Sequence, residues 1–147
     1  MSFVEVSITN RLHDLTHVTQ TVDQLAATHG LTPDIVADMN IALDEVLSNI
    51  IRHGYSDDRV HKIQIRLTAD DDVLQAEIED DGKPFNPLTT PPPDLTGSLR
   101  ERAIGGLGIH FVKNLMSEVA YSFIKNRNRL VLKKHLTRRE ADARGPA

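Results

Sequence analysis

Glu45 and Asn49 lie four residues apart in the run IALDEVLSNIIRHGY, residues 41–55. Val36, Met39, Leu43, Val46, Leu47 and Ile50 recur around them at spacings of three and four. That pattern predicts an α-helix with one apolar stripe facing a core. It places the carboxylate and the amide one turn apart along the edge of that stripe, within reach of a shared ligand. Taken alone, such a pair more often reads as half-exposed polar residues.

Two further segments change the weighing. Asp80-Asp81-Gly82 closes an alternating run. A carboxylate there can accept a hydrogen bond from an exocyclic amine such as that of adenine, and Gly82 lets a ring approach the backbone. The plainer reading is a turn, since Asp-Gly is a strong turn signal. Gly105-Gly106-Leu107-Gly108 precedes a third helical pattern. Glycines at a helix start expose backbone N–H groups, and the dipole favours an anion, with phosphate the natural tenant. Neither a Walker A loop nor a dinucleotide fingerprint is present. Mg²⁺ takes oxygen ligands and keeps several waters, so the Asn49 amide plus phosphate oxygens suffice to hold it. Glu45 is then placed to orient or deprotonate an attacking hydroxyl. An amine acceptor, a metal ligand and a phosphate cradle together describe an ATP site.

These residues must be positioned by a single domain. The chain has 147 residues, 39% hydrophobic and 26% charged, enough for one core and too short for two. Residues 138–147 read as a charged, frayed tail after a domain over 1–137. There is no cysteine, and seven histidines show no metal-ligand spacing. The net charge of −4 argues against a nucleic-acid surface. No apolar run reaches the length of a membrane span and no signal pattern opens the chain, which predicts a cytoplasmic protein without membrane contact.

Phe3–Thr9 alternates as a half-buried strand does. Asn10 is a candidate cap for an amphipathic helix marked by Leu12, Leu15, Val18, Val22 and Leu25, with Gly30 as its stop. Thr32-Pro33 opens the second helix, which Gly54 ends. His61–Thr68 and Val73–Glu79 read as a hairpin. The stretch from Asp80 to Ile104 is proline-rich and aperiodic, as a functional loop is. A helix follows, then strands over 119–124 and 130–136 around an Asn126-Arg127-Asn128 turn. The order predicts an α+β, two-layer sandwich: one mixed, largely antiparallel sheet with about three helices on one face.

Glu45-x-x-x-Asn49 with His53-Gly54-Tyr55 resembles the N box of the GHKL ATPases. Asp80-x-Gly82 followed by Pro84-Phe85-Asn86-Pro87 resembles their first glycine box, and Gly105-Gly106-Leu107-Gly108-Ile109 the second. The NIIRHGY ending and the DxGxPFNP form are similar to the stand-alone anti-sigma-factor serine kinases of the RsbW and SpoIIAB type. The resemblance implies a Bergerat fold with ATP held between the sheet, the second helix and a mobile lid. It implies Glu45 as catalytic base and Asn49 as Mg²⁺ ligand. It also implies Asp80 at the adenine amine, Gly82 beside the base, and Gly105, Gly106, Leu107 and Gly108 at the phosphates. Arg52 and His53 continue the helix edge toward the nucleotide. Arg100 and Arg102 read more simply as solvated charges than as γ-phosphate contacts. The implied activity is transfer of the ATP γ-phosphate to a STAS-type anti-anti-sigma protein, and many such kinases also bind a sigma factor and form homodimers. The alternatives are a non-catalytic ATP-responsive binding module and, less well supported, a histidine-kinase catalytic fragment.

Overall fold

The computed structural model describes residues 2–86 and 107–136. Element order is β1 (Ser2–Thr9), a 3-10 turn (Leu12–Asp14), α1 (Leu15–His29), α2 (Pro33–His53), β2 (Lys62–Ala69), β3 (Val73–Asp80), α3 (Leu107–Leu115), β4 (Glu118–Ile124) and β5 (Arg127–His135). The five strands form one sheet in the order β1-β2-β3-β5-β4. Every described pairing is antiparallel, so the largely antiparallel sheet expected from the sequence contains no parallel pair among these strands.

Strand alternation decides which face carries the helices. Ile63, Ile65, Leu67 and Ala69 of β2, Leu74, Ala76 and Ile78 of β3, and Leu130 and Leu132 of β5 are buried on one side. Val18, Val22 and Leu25 of α1 and Ile35, Met39, Ala42, Leu43, Val46 and Leu47 of α2 pack onto them. Ile35 rather than Val36 begins the α2 stripe. Each large side chain removed from water here contributes about 1.5–3 kcal/mol. The opposite face is polar, with Glu5 paired to Arg66 and Glu77 to Arg129.

Helix boundaries follow local chemistry. α1 ends at Gly30, whose φ of 69° is the left-handed cap expected of glycine. Its start differs from the sequence reading. Asn10 does not cap the helix. Its Oδ1 accepts from His61 N–H at 2.9 Å and its backbone N–H donates to His61 O, pinning the end of β1 to the start of β2. Asp14 does the local work instead, accepting from the Thr9 backbone N–H and hydroxyl at 2.9 and 2.6 Å. Leu12 is consequently exposed. α2 opens with Thr32 and Pro33 as expected, although the Thr32 hydroxyl makes no capping bond. Gly54 ends α2 at a right-handed φ of −78°, not through a left-handed cap.

The last hairpin also differs. Lys125 and Asn126 take the two left-handed turn positions, with φ of 52° and 61°. Ile124 pairs with Arg127, so Arg127 and Asn128 belong to β5, not to the turn. The expected loop beyond Asn86, including Arg100, Arg102, Gly105 and Gly106, lies outside the described residues, as does the tail. Among the described residues no helix is long and apolar enough to cross a membrane.

Candidate functional site

The site is built on the seam where the end of β3 meets the end of α2. β3 and β5 pair so that Asp80 stands directly opposite Asn128. Both are buried, and they are the two buried polar or charged side chains among the described residues. Asp80 Oδ1 accepts the Gly82 N–H at 2.8 Å and the Asn128 side-chain amide at 3.0 Å. Its other oxygen takes no hydrogen bond among the described residues. Burial pushes the Asp80 carboxyl above the usual carboxylate range. The donors Asn128 and Gly82 pull against that shift, Asp81 adds to it, and Arg127 opposes it. A buried acid with one oxygen locked and one unused is built to receive a donor.

Asn128 does more than face Asp80. Its amide also donates to the carbonyls of Gly82 and Lys83 at 3.2 and 2.9 Å. Its Oδ1 accepts from Phe85 N–H at 3.2 Å and from the Tyr121 hydroxyl. The chain leaving β3 is thus fastened to β5. The sequence reading missed Asn128 because it assigned the residue to a turn, where asparagine is common. The spacing that could have revealed it is the cross-strand register, which needs the turn placed at Lys125 and Asn126.

The same chain is fastened to α2. Lys83 N–H donates to Gly54 O at 2.9 Å. A Cβ on Gly82 would lie 2.7 Å from Gly54 O and 2.9 Å from Asp80 Oδ1. Close packing against α2 therefore requires glycine here, a reason independent of any ligand ring. Beside this contact Tyr55 stacks on His61, with ring centroids 4.2 Å apart and planes 17° off parallel. His61 Nε2 lies 2.8 Å from Asp57 and its Nδ1 lies 3.2 Å from Asp81. With a carboxylate at each ring nitrogen, both nitrogens donate only when the ring is protonated, and these partners hold His61 above its ordinary pKa. Burial, with Asp80 and Asp81 nearby, raises the Tyr55 phenol so that it stays neutral.

Glu45 and Asn49 are half-buried on α2, one turn apart, and neither side chain is engaged in a hydrogen bond among the described residues. At about 1.5 Å rise per residue, Asn49 lies roughly 7.5 Å and Glu45 roughly 13.5 Å along the helix from Gly54. Arg52 and His53 are exposed. Leu107 and Gly108 are the first residues of α3. α3 packs against α2, and Lys134 ties the two by donating to Leu115 O at 2.7 Å while pairing with Asp38 at 3.0 Å. The structure therefore brings Asp80 and Gly82 to the α2 end that carries Asn49, whereas Gly105 and Gly106 fall outside the described residues.

No group of three or more His, Asp or Glu side chains suited to a metal exists among the described residues. A divalent ion at Asn49 would depend on that amide oxygen together with ligand oxygens and water, a donor set that suits Mg²⁺ rather than a metal needing a protein cage.

Comparison with known proteins bears on the family and the fold. A family model described as a histidine kinase-like ATPase domain matches residues 8–134. The serine-protein kinase RsbW of Bacillus subtilis (strain 168) is 31% identical over 108 residues, covering 67% of this chain and 64% of that protein. RsbW of Bacillus velezensis is 27% identical over 128 residues, covering 81% of this chain and 77% of its own. The chain thus spans just under two thirds of the length of the first of these relatives. Among solved structures, the RsbU and RsbW domains of a Mycobacterium tuberculosis protein superpose with a TM-score of 0.63 at 17% identity, over 94% of this chain and 33% of that one. The histidine kinase domain of a blue-light activated kinase from Erythrobacter litoralis superposes with a TM-score of 0.55 at 16% identity, over 88% and 62% of the two chains. At these identities the superpositions show a shared fold.

Proposed function

Because the chain belongs to the histidine kinase-like ATPase domain family, we propose that it is an ATP-dependent serine/threonine protein kinase of the anti-sigma-factor, partner-switching type. The observation that carries this reading is Asp80: a buried carboxylate with one oxygen held by Gly82 and Asn128 and the other left to accept the adenine amine. The RsbW relatives, named serine-protein kinases, supply the class of acceptor.

In this reading adenine lies at the Asp80 corner, with Gly82 beside it, and the triphosphate runs back along α2 past Arg52 and His53. Asn49 would hold Mg²⁺, which when bound would neutralise phosphate charge. Gly105, Gly106, Leu107 and Gly108 cradle the phosphates, an assignment that rests on their motif. α3 spans about 13.5 Å from its start to the Lys134 tie near Asp38, enough reach to bring that start alongside Glu45 and Asn49. Glu45 accepts the proton of the acceptor hydroxyl as its oxygen forms a bond to the γ-phosphorus. The bond from that phosphorus to the β–γ bridging oxygen breaks, and ADP leaves. Alignment and charge neutralisation supply most of the rate. The acceptor is a serine or threonine on a STAS-type anti-anti-sigma protein. A sigma factor is a second partner, and a homodimer and a cytoplasmic setting complete the assignment.

Incubation with γ-labelled ATP, Mg²⁺ and a STAS-domain protein tests this. Acid-stable label should appear on the STAS protein with wild-type enzyme. It should vanish with Glu45→Ala while that variant still binds ATP. Tight ATP binding with no transfer to any STAS protein would instead make the chain a nucleotide-responsive binding module.

A further inference from the structure

Asn128 is the most heavily bonded side chain in the described residues, and neither the ATPase motifs nor the relatives' names assign it a role. One amide does three jobs at once. It locks Asp80 Oδ1, it caps the carbonyls of Gly82 and Lys83, and through Oδ1 it receives the Phe85 N–H. The Tyr121 hydroxyl donates to the same Oδ1. The Phe85 N–H, which can only donate, fixes which end of the amide faces which way: it needs the oxygen, so the nitrogen faces Asp80 and the two carbonyls, and the Tyr121 hydroxyl adds a second donor to the same oxygen. A flipped amide would place its oxygen against a carboxylate and two carbonyls, four acceptors with no proton among them.

We propose that Asn128, oriented by the Phe85 N–H and supported by the Tyr121 hydroxyl, is the positioning residue that gives the site its preference for adenine over guanine. The inference rests on the nucleotide reading above and deepens it. With Oδ1 of Asp80 held by Asn128 and Gly82, the carboxylate cannot rotate, and its remaining oxygen is a fixed acceptor. Adenine presents an amine donor on its six-position edge, whereas guanine presents a carbonyl acceptor there. A fixed lone-pair acceptor rewards the first and repels the second. A freely rotating carboxylate, or one able to take up a proton and turn its O–H outward, would accommodate both.

The test measures dissociation constants for ATP and GTP across pH, for wild type, Asn128→Ala and Tyr121→Phe, with thermal unfolding of each in parallel. A hydrogen bond to a charged group is worth enough that Asn128→Ala should weaken ATP about tenfold while leaving GTP nearly unchanged, narrowing the preference by that factor. Asn128 also favours the ionised form of Asp80. Its removal should therefore move the pH below which ATP binding is lost upward. Tyr121→Phe, which keeps the ring, should shift both readouts in the same direction by less, and decides the matter if Asn128→Ala does not fold. Equal losses for ATP and GTP with an unmoved pH midpoint would show that Asn128 merely packs, and would overturn the proposal. Absence of ATP binding by the wild type would remove the nucleotide reading itself and this inference with it.

Discussion

Two side chains near the seam, the Asp80 carboxylate and the Asn49 amide, behave differently because their surroundings differ. Asp80 is buried and its carboxyl is raised, so the ionised form, the one proposed to accept the amine, becomes scarcer as the solution is acidified. ATP affinity is expected to fall with decreasing pH through a midpoint above the ordinary carboxylate value of 3.8, as titration calorimetry at stepped pH would show. Asp80→Asn, which puts an amide where the acceptor stood, should abolish the affinity while the protein still unfolds cooperatively; retained ATP binding would remove Asp80 from the site. Asn49 gives the complementary case. It borders the core without filling it, so Asn49→Ala should change stability by no more than about 0.5 kcal/mol. The same change should eliminate the Mg²⁺ dependence of nucleotide binding, and an unaltered Mg²⁺ titration would exclude it as the metal ligand.

At the scale of elements, the contact between α2 and the chain leaving β3 is a close joint. Gly82→Ala must displace the Gly54 carbonyl, a backbone atom, and also press on Asp80 Oδ1, which is itself held by hydrogen bonds. Overpacking of this kind costs about 1–3 kcal/mol, read from urea unfolding midpoints at unchanged slope. The Lys134 tie is the second joint. Lys134→Met leaves Asp38 and Leu115 O without their cation, and a loss of roughly 1–2 kcal/mol is expected for this partly exposed pair. These joints also explain what could be read in advance. The α2 stripe, the β2–β3 hairpin and Asp80 at a strand end were legible because period and residue type speak locally. Asn128 was not, because a turn-forming residue in a strand declares itself only through its partner across the sheet. Gly82 was legible as important, but the packing reason for it depends on Gly54, distant in sequence. Asn10 was misread as a cap because its partners, Arg59 and His61, belong to another strand's approach.

For the whole molecule, stability comes from one helix-covered sheet face, and Leu43→Ala at its centre should cost about 2–5 kcal/mol by denaturant titration. A pH signature overlies this. His61 is held above its ordinary value of 6.5 by Asp57 and Asp81, so its folded form prefers the proton. The stabilisation is complete below 6.5 and is lost as pH rises through the higher folded value. The melting temperature should decline over that window, and His61→Asn should flatten the decline. The pairing of β3 with β5 has one more consequence. Asp80 and Asn128 are 48 positions apart, so the acceptor stays unoriented until the final hairpin docks on the middle of the sheet. Such a distant closure is slow relative to local helix formation. If Asn128 sets the nucleotide preference as proposed, a ribosome-tethered chain ending before Arg127 would contain every motif residue and still lack a selective binding corner, and ATP selectivity would be a clock for the last topological step of folding.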